Sequence, residues 1–391
     1  MQTAEASLSN KASELRDATR EFVENEVDPR AREIEATDGI PAELLERAKE
    51  IGLFALSIPE EYGGLGLSMT EKVAVYEELG RSSNAFTTVI GCHTGIGSVG
   101  LVELANEEQK RCYLPRMARG ELVGAFALTE PEAGTDAANV QTRAVRNGDK
   151  FVLNGHKRYI TNGPIAGVIT VMASTDPEQG PRGITAFIVE SGFPGFGVGE
   201  HDDKMGLRGS YTGELYFEDC EVPARNVLGE MGRGYANALR VLAAGRAGLP
   251  ARNLGSCQRL LELSLAHAKT REQFGAPIFE QQIIQHYLAE IAVEIEALRA
   301  MVYRVAAKVD SADAGHKIIK DAAMVKLYGS EVYNRVADKA VQIHGGAGYM
   351  KEHEIERYYR DARITRIYEG TSETQKNIIA RQLGREYDES L

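Results

Sequence analysis

The sequence predicts an α+β protein of three consecutive regions: helical, then β, then helical. Three observations carry that reading. Apolar residues recur at helical spacing before about residue 120 and again after about 232. Strand-like runs and turn dipeptides fill the stretch between them. No strand alternates with a helix as a doubly wound sheet requires. The regions divide at 1–121, 122–232 and 233–391.

In the first region Leu15, Ala18, Phe22 and Val23 fall on one helical face, and Pro41 opens a second amphipathic stretch that ends before Gly52. Further helices are predicted near 69–80 and 107–118. In the middle region Phe151-Val152-Leu153 and Arg158-Tyr159-Ile160-Thr161 flank Asn154-Gly155 as the arms of a hairpin, with further turn signals at Asn147-Gly148 and Asn162-Gly163. This region reads as antiparallel β. In the last region Leu288, Ile291, Ala292, Ile295, Leu298 and Val302 repeat over more than four turns, and similar helices are predicted over 234–270 and 317–343.

Composition narrows the function. The 391 residues are 43% hydrophobic and 26% charged, enough to bury a sizeable core. A formal net charge of -12, with no run of basic residues interleaved with aromatics, argues against a nucleic-acid partner. The N-terminal segment lacks a basic region followed by an apolar core, and no uncharged run of eighteen apolar residues occurs, so neither a secretion signal nor a membrane span is expected. Cys92, Cys112, Cys220 and Cys257 lie far apart, which fits reduced thiols; neither they nor the eight histidines show metal-ligand spacing, so no metal site is expected.

Four motifs remain. Gly95-Ile96-Gly97-Ser98-Val99-Gly100 spells a dinucleotide fingerprint, and Ala85 to Ile90 before it has the composition of a short strand. No βαβ unit follows, so close helix packing through small residues explains it better. Gln342-Ile343-His344-Gly345-Gly346-Ala347-Gly348-Tyr349 either stops a long helix or lets backbone approach a ligand. Thr129-Glu130-Pro131-Glu132-Ala133-Gly134-Thr135-Asp136 follows an apolar strand and alone would be a polar loop. In Ile367-Tyr368-Glu369-Gly370-Thr371-Ser372-Glu373, Glu369 stands just before a helix as either cap or catalyst. Ser372 with Gln375 three residues on has capping-box spacing, which leaves the Glu369 carboxylate free.

The motifs at 129–136 and 342–349, together with NGHKRYITNG at 154–163, MGLRGS at 205–210, FEDCEVP at 217–223, TREQFGAPI at 270–278 and YYRDARITRIYEGTSE at 358–373, resemble the acyl-CoA dehydrogenase family. The resemblance covers nearly the whole chain. It implies a helical N-terminal domain, a central β-domain and a C-terminal four-helix bundle. It also implies an FAD enzyme that places a trans double bond between Cα and Cβ of an acyl-CoA thioester. Such chemistry needs a base for the α-proton, hydrogen bonds to the thioester oxygen and a flavin to accept the β-hydride.

The resemblance also assigns residues. Glu369 matches the family's base. A minority of relatives carry that glutamate directly before an arginine that here is Arg246, but the preceding residue is Gly245. Thr135, Arg246 and Gly370 match positions near the substrate. Phe126, Leu128, Thr129 and Thr135, with Tyr159, Ile160 and Thr161, match one side of the flavin and its ribityl chain. Arg271, Phe274, Gln282, Gln342, Ile343, His344, Gly345 and Gly346 match residues that bind the adenine and pyrophosphate of an FAD held by a neighbouring subunit. Thr371, Ser372 and Glu373 match a further flavin-binding segment. Relatives commonly have tryptophan at Tyr159, whereas this chain has none, and aspartate at Ala243 near CoA. The implied partners are an acyl-CoA, an electron-transferring flavoprotein as acceptor and further copies of the chain in a homotetramer; the start of the sequence favours a bacterial cytoplasm, with a mature mitochondrial protein as the alternative. Readings on the same scaffold are an oxidase, a side-pathway dehydrogenase or a non-catalytic acyl-CoA or flavin binder.

Overall fold

A computed structural model of the chain describes residues 8–311 and 318–389. Its N-terminal region holds α1 (Asn10–Phe22), α2 (Ala31–Thr37), α3 (Ala42–Ile51), α4 (Met69–Leu79), α5 (Asn84–Thr94), α6 (Ile96–Leu104) and α7 (Glu107–Ala118). Local chemistry sets the ends. Pro41 precedes α3 and Gly52 closes it in the left-handed region, while Ser68 with Glu71 and Asn106 with Gln109 form capping boxes on α4 and α7. The buried face of α1 is Ala12, Leu15, Thr19 and Phe22. Ala18, expected on that face, is exposed. Thr19 takes the inward position because its hydroxyl donates to the Leu15 carbonyl at 2.6 Å and so leaves no polar atom unsatisfied.

The middle region is one eight-stranded sheet: β1 (Gly124–Ala127), β2 (Arg143–Asn147), β3 (Lys150–Thr161), β4 (Val168–Ser174), β5 (Ile184–Glu190), β6 (Phe196–His201), β7 (Thr212–Pro223) and β8 (Val227–Leu228). The strands run in the order β6-β7-β3-β2-β4-β5-β8. The sheet is not wholly antiparallel as expected, because β1 joins β4 in parallel. Nor is Asn154-Gly155 a turn. Both residues lie within the continuous β3, where the register against β7 slips between Leu153 and Gly155. A Cβ at Gly155 would stand 2.4 Å from the Thr142 hydroxyl oxygen, so the glycine serves a close approach at a bulge. The hairpin turn is Gly148-Asp149, between Asn147 at the end of β2 and its partner Lys150 on β3, with Gly148 at φ 64°.

The C-terminal region holds α8 (Gly234–Thr270), α9 (Gln282–Asp310), α10 (Ile318–His344), α11 (Gly346–Tyr349), α12 (Ile355–Ile364) and α13 (Ser372–Glu389). Leu288, Ile291, Ile295, Leu298 and Val302 are the buried stripe of α9. One hydrophobic core joins the N-terminal helices to this bundle, through side chains such as Phe54, Phe86, Leu254 and Tyr333. A second links α6 and α7 to the sheet and to the start of α8, through Leu101, Met117, Ile188 and Val241. Glu369 lies where these units meet, against Ile96, Tyr76 and Gly245.

The span Asn84–Leu104 is long and apolar enough to cross a membrane, but 78% of it is buried inside the fold. Ala85 to Ile90 are helical, not a strand. Gly95 to Gly100 carry the chain from α5 into α6, and a Cβ on Gly97 would stand 2.7 Å from the Gly124 carbonyl oxygen. The glycines of the apparent fingerprint therefore let a helix lie against the first strand.

Candidate active site

Glu369 occupies the turn between α12 and α13 with φ 55°, and Gly370 follows at φ 91°. A left-handed glutamate is unfavourable by about 1 kcal/mol, so neighbouring contacts must hold it. Arg246 Nε on α8 donates to the Glu369 carbonyl at 2.7 Å, and Lys326 Nζ on α10 donates to the Gly370 carbonyl at 2.7 Å. Gln375 Nε2 donates to both carbonyls, at 3.1 and 3.0 Å.

The expected cap is displaced by one residue. Thr371 starts α13: its hydroxyl accepts from the Thr374 amide at 3.2 Å and its carbonyl from the Gln375 amide at 2.9 Å. Ser372 lies inside the first turn, buried, with its hydroxyl donating to Glu331 at 2.7 Å. Gln375 is drawn away from a capping box because its side chain holds the Glu369 turn.

The carboxylate of Glu369 is therefore not used as a cap. Its Oε2 is buried and has no hydrogen-bond partner among the described residues. Burial raises its pKa, opposed by the positive charges of Arg252, Arg246 and Lys326. The main-chain amide of Glu369 also makes no hydrogen bond to a described residue. The site thus sets a desolvated carboxylate beside a backbone donor that has no partner among the described residues.

Glu369 borders a cavity of about 20 Å³, whose wall includes Tyr76, Gly91, Thr94, Gly245, Gly248 and Arg252. Three of the wall contacts depend on missing side chains or directed polar groups. A Cβ at Gly245 would stand 2.9 Å from Glu369 Oε2, and one at Gly91 would stand 2.2 Å from Arg252 Nη1. The Tyr76 hydroxyl is 2.8 Å from that of Thr94. Gly91, Thr94, Gly245 and Gly248 come from the segments 84–100 and 243–251, whose packing the sequence ties to pocket depth; Tyr76 and Arg252 were not singled out, although Arg252 recurs at helical spacing with Gly245 and Gly248 on α8.

A second group forms at one end of the sheet. Phe126 and Leu128 are buried, and the Thr129 carbonyl accepts from the Arg158 amide at 3.0 Å, which lays the 129–136 loop on β3. Lys157 and Glu130, 2.7 Å apart and both buried, fix the loop from beneath. Burial pushes the Lys157 ammonium down to about 8 against the pull of Glu130, whose own pKa is lowered by that lysine and by hydrogen bonds from Thr142 and Gln141. Thr135 is exposed at the loop's tip. Ile160 is buried, whereas Tyr159 is 63% exposed at φ 58°, where β3 slips register again.

Helix α5 connects this group to Glu369. Asn162 Nδ2 donates to the Val89 carbonyl at 3.0 Å, and His93 Nδ1 accepts from the Gly124 amide at 2.9 Å. Cys92 reaches the Thr161 carbonyl at 3.6 Å, and its thiol lies within the fields of Arg252 and Glu369.

A third group lies apart from both, on the outer ends of α8 and α10. Arg271, Gln282, Gln342, Gly345 and Gly346 are exposed, and Phe274 is 96% exposed at φ 55°. His344 stacks on His267 with centroids 4.3 Å apart, which joins the two helix ends. Ile343 is buried and the His344 ring is turned inward, its Nδ1 against the Ala340 carbonyl at 2.8 Å, so these two offer a ligand only backbone. Glu373 is exposed at the start of α13.

These surfaces suit a large aromatic dinucleotide. Phe274 presents an uncovered ring, Tyr159 presents a ring with the Arg158 guanidinium over one face at 4.8 Å, and no atom lies within 4 Å of a Cβ built at Gly345 or Gly346, which leaves that backbone open to close approach. Fold and site together define a class of enzyme with a helical domain, a β-domain and a helical bundle, with the candidate site at the seam between them.

Comparison with known proteins identifies the family. Residues 9–121 match the model of the acyl-CoA dehydrogenase N-terminal domain, 125–220 that of the middle domain and 232–384 that of the C-terminal domain. The chain is 43% identical over 385 residues to the acryloyl-CoA reductase (NADH) of Anaerotignum propionicum, covering 98% of this chain and 97% of that protein. The butyryl-CoA dehydrogenase structure from Megasphaera elsdenii superposes with a TM-score of 0.92 at 37% identity, covering 96% of this chain and 98% of that one. An acyl-CoA dehydrogenase from Bacillus anthracis complexed with FAD superposes at 0.91 and 37% identity, over 98% of this chain and 69% of that one. The chain belongs to the acyl-CoA dehydrogenase family.

Proposed function

We propose that this protein is an FAD-dependent dehydrogenase that converts a saturated acyl-CoA thioester to its trans-2-enoyl form, with Glu369 as the base. The observation that carries this reading is the buried, unpartnered Oε2 of Glu369 on the wall of a narrow cavity. Burial raises the basicity of the carboxylate against the opposing pull of the nearby cations, which suits a group that takes an α-proton. The unused Glu369 amide supplies a donor for the thioester oxygen, whose negative charge grows as that proton leaves. FAD, when bound, supplies the acceptor for the β-hydride.

Phe126, Leu128, Thr129, Thr135, Tyr159, Ile160 and Thr161 hold the reactive end of the cofactor beside the α5 seam. Arg271, Phe274, Gln282 and the Gln342 to Gly346 backbone hold the far end of a cofactor in a neighbouring subunit, within a homotetramer. Thr371 and Glu373 contribute at the start of α13. The buried Ser372 acts through Glu331 and the fit of the turn. Arg246 and Gly370 shape the substrate side. An electron-transferring flavoprotein is the proposed electron acceptor.

Resemblance to an acryloyl-CoA reductase favours one variant of this reading. The same groups serve reduction of an enoyl thioester when the cofactor arrives reduced, with Glu369 returning the α-proton. One experiment tests the shared core. The purified yellow holoprotein should bleach when a saturated acyl-CoA is added without oxygen, and colour should return with the matching enoyl-CoA. A protein that binds no FAD, or whose flavin answers to no thioester, overturns the proposal.

A further inference from the structure

The three cations that act on Glu369 are not equally employed. Arg246 and Lys326 each donate to a carbonyl of the Glu369–Gly370 turn, both at 2.7 Å. Arg252 holds no part of that turn. It is only 9% exposed, and its one hydrogen bond to a described residue is a long one, from Nη1 to the Thr87 carbonyl at 3.3 Å. No carboxylate of a described residue lies within ion-pair distance of it. A buried guanidinium in that position is costly unless a charge nearby offsets it.

The geometry supplies one candidate. Gly245, Gly248 and Arg252 lie on one face of α8, and helix side chains lean toward the N-terminus, which directs Arg252 back past Gly248 toward the Gly245 end. Gly248 contributes no side chain to block it. A Cβ at Gly91 on α5 would stand 2.2 Å from Arg252 Nη1 and 2.6 Å from its Cζ, and one at Gly245 would stand 2.9 Å from Glu369 Oε2. Guanidinium and carboxylate thus border the same small cavity, each against a glycine that makes room for it.

The other groups facing Glu369 leave this role to Arg252. On α4 the Tyr76 hydroxyl is taken up by Thr94, and Lys72 lies in the fields of Asp310 and Glu103. On α5 the Cys92 thiol is turned to the Thr161 carbonyl. Tyr368 is kept neutral by burial, which pushes its pKa up to about 12. Burial raises the Glu369 pKa, and Arg252 is the strongest of the charges opposing that rise.

Resting on the dehydrogenase reading above, we propose that Arg252 is a positioning residue for the base, the counter-charge that favours the ionised Glu369 carboxylate and keeps it turned into the cavity to accept the α-proton. The proton passes from Cα to Glu369, while Arg252 exchanges neither proton nor electron. Once Glu369 is protonated its attraction to the guanidinium is lost, so the pair acts before the transfer.

The test is the pH dependence of single-turnover anaerobic flavin bleaching, with propionyl-, butyryl- or hexanoyl-CoA, whichever reduces the wild-type holoenzyme fastest. A carboxylate that loses a nearby opposite charge has its pKa raised by about one unit or more, so the acidic limb for Arg252→Gln should lie at least that far above the wild type. Bleaching should be about tenfold slower or worse below the limb and approach the wild-type rate above it. Arg252→Lys should bring the limb back. A structural role would instead slow Arg252→Gln by one factor at every pH. That outcome, or an unmoved limb in a folded, FAD-loaded variant, overturns the inference and leaves the dehydrogenase reading intact. If Arg252→Gln holds no FAD, the double variant with Glu369→Gln decides, because it removes both charges: a folded yellow protein supports the pair, and a colourless one overturns it. Bleaching of the wild type by no thioester at any pH overturns the dehydrogenase reading itself, and this inference with it.

Discussion

Replacing Gly245 with alanine separates the activity of the site from the stability of the fold. The new Cβ would stand 2.9 Å from Glu369 Oε2 and 2.9 Å from Ile96 Cγ2. The carboxylate is the more movable neighbour, and restoring an ordinary contact of roughly 3.4 Å displaces it by about 0.5 Å. A misplacement of about 1 Å at a reacting group costs on the order of a hundredfold, so about tenfold slower flavin reduction is expected here. Gly245 lies in the interior of α8, where alanine is favoured over glycine by about 1 kcal/mol, which offsets the crowding. Stopped-flow flavin reduction with a saturated acyl-CoA, beside a thermal melt and an FAD content, should show a slow enzyme of near wild-type stability. A folded, FAD-loaded Gly245→Ala enzyme with the wild-type rate would refute the claim that the Glu369 carboxylate works where the structure places it.

Three further outcomes follow from the fold. Gly97→Ala should lower stability by about 1–3 kcal/mol in a denaturant melt, because its Cβ meets a backbone oxygen that cannot rotate away. Lys157→Met should cost about 3–5 kcal/mol by leaving Glu130 buried without its cation, and should loosen FAD retention if the 129–136 loop holds the cofactor. His93 is buried with its pKa pushed down to about 4 by desolvation. Its contribution is present above the unfolded value near 6.5 and is lost as pH falls toward about 4, by up to about 3 kcal/mol. Asp361, which burial pushes up to about 6, works in the opposite sense. The informative quantity is thus the difference between wild type and His93→Gln, which should shift against the wild type over that range; a constant difference would contradict it.

Legibility from sequence followed the range of the forces involved. The buried stripe of α9 and the closure of α3 by Gly52 depend on local periodicity and capping, and both are where the sequence places them. Asn154-Gly155 looked like a turn because its dipeptide preference is local, yet pairing of β3 with both β2 and β7 keeps the strand running through it. Ser372 looked like a cap because the spacing to Gln375 fits. Gln375 instead meets the Glu369 and Gly370 carbonyls, and Glu331, forty-one residues upstream, takes the serine hydroxyl.

The same contrast holds at the site. Glu369 stood out through its flanking residues, and its neighbours Arg246 and Gly370 came with it. Lys72 and Tyr76, Arg252 and Lys326 reach the cavity or the turn from three separate places in the sequence, and only the packing of α4, α8 and α10 brings them there.

The central claim is that Glu369 takes the α-proton, and the rate of flavin reduction in Glu369→Gln measures it most directly. Glutamine keeps the size of the side chain and leaves the carbonyl contacts to Arg246, Lys326 and Gln375 available, while removing the base. FAD and acyl-CoA binding should persist, and single-turnover bleaching should slow by about 10²–10⁴-fold. Bleaching within a few-fold of the wild-type rate would contradict the account.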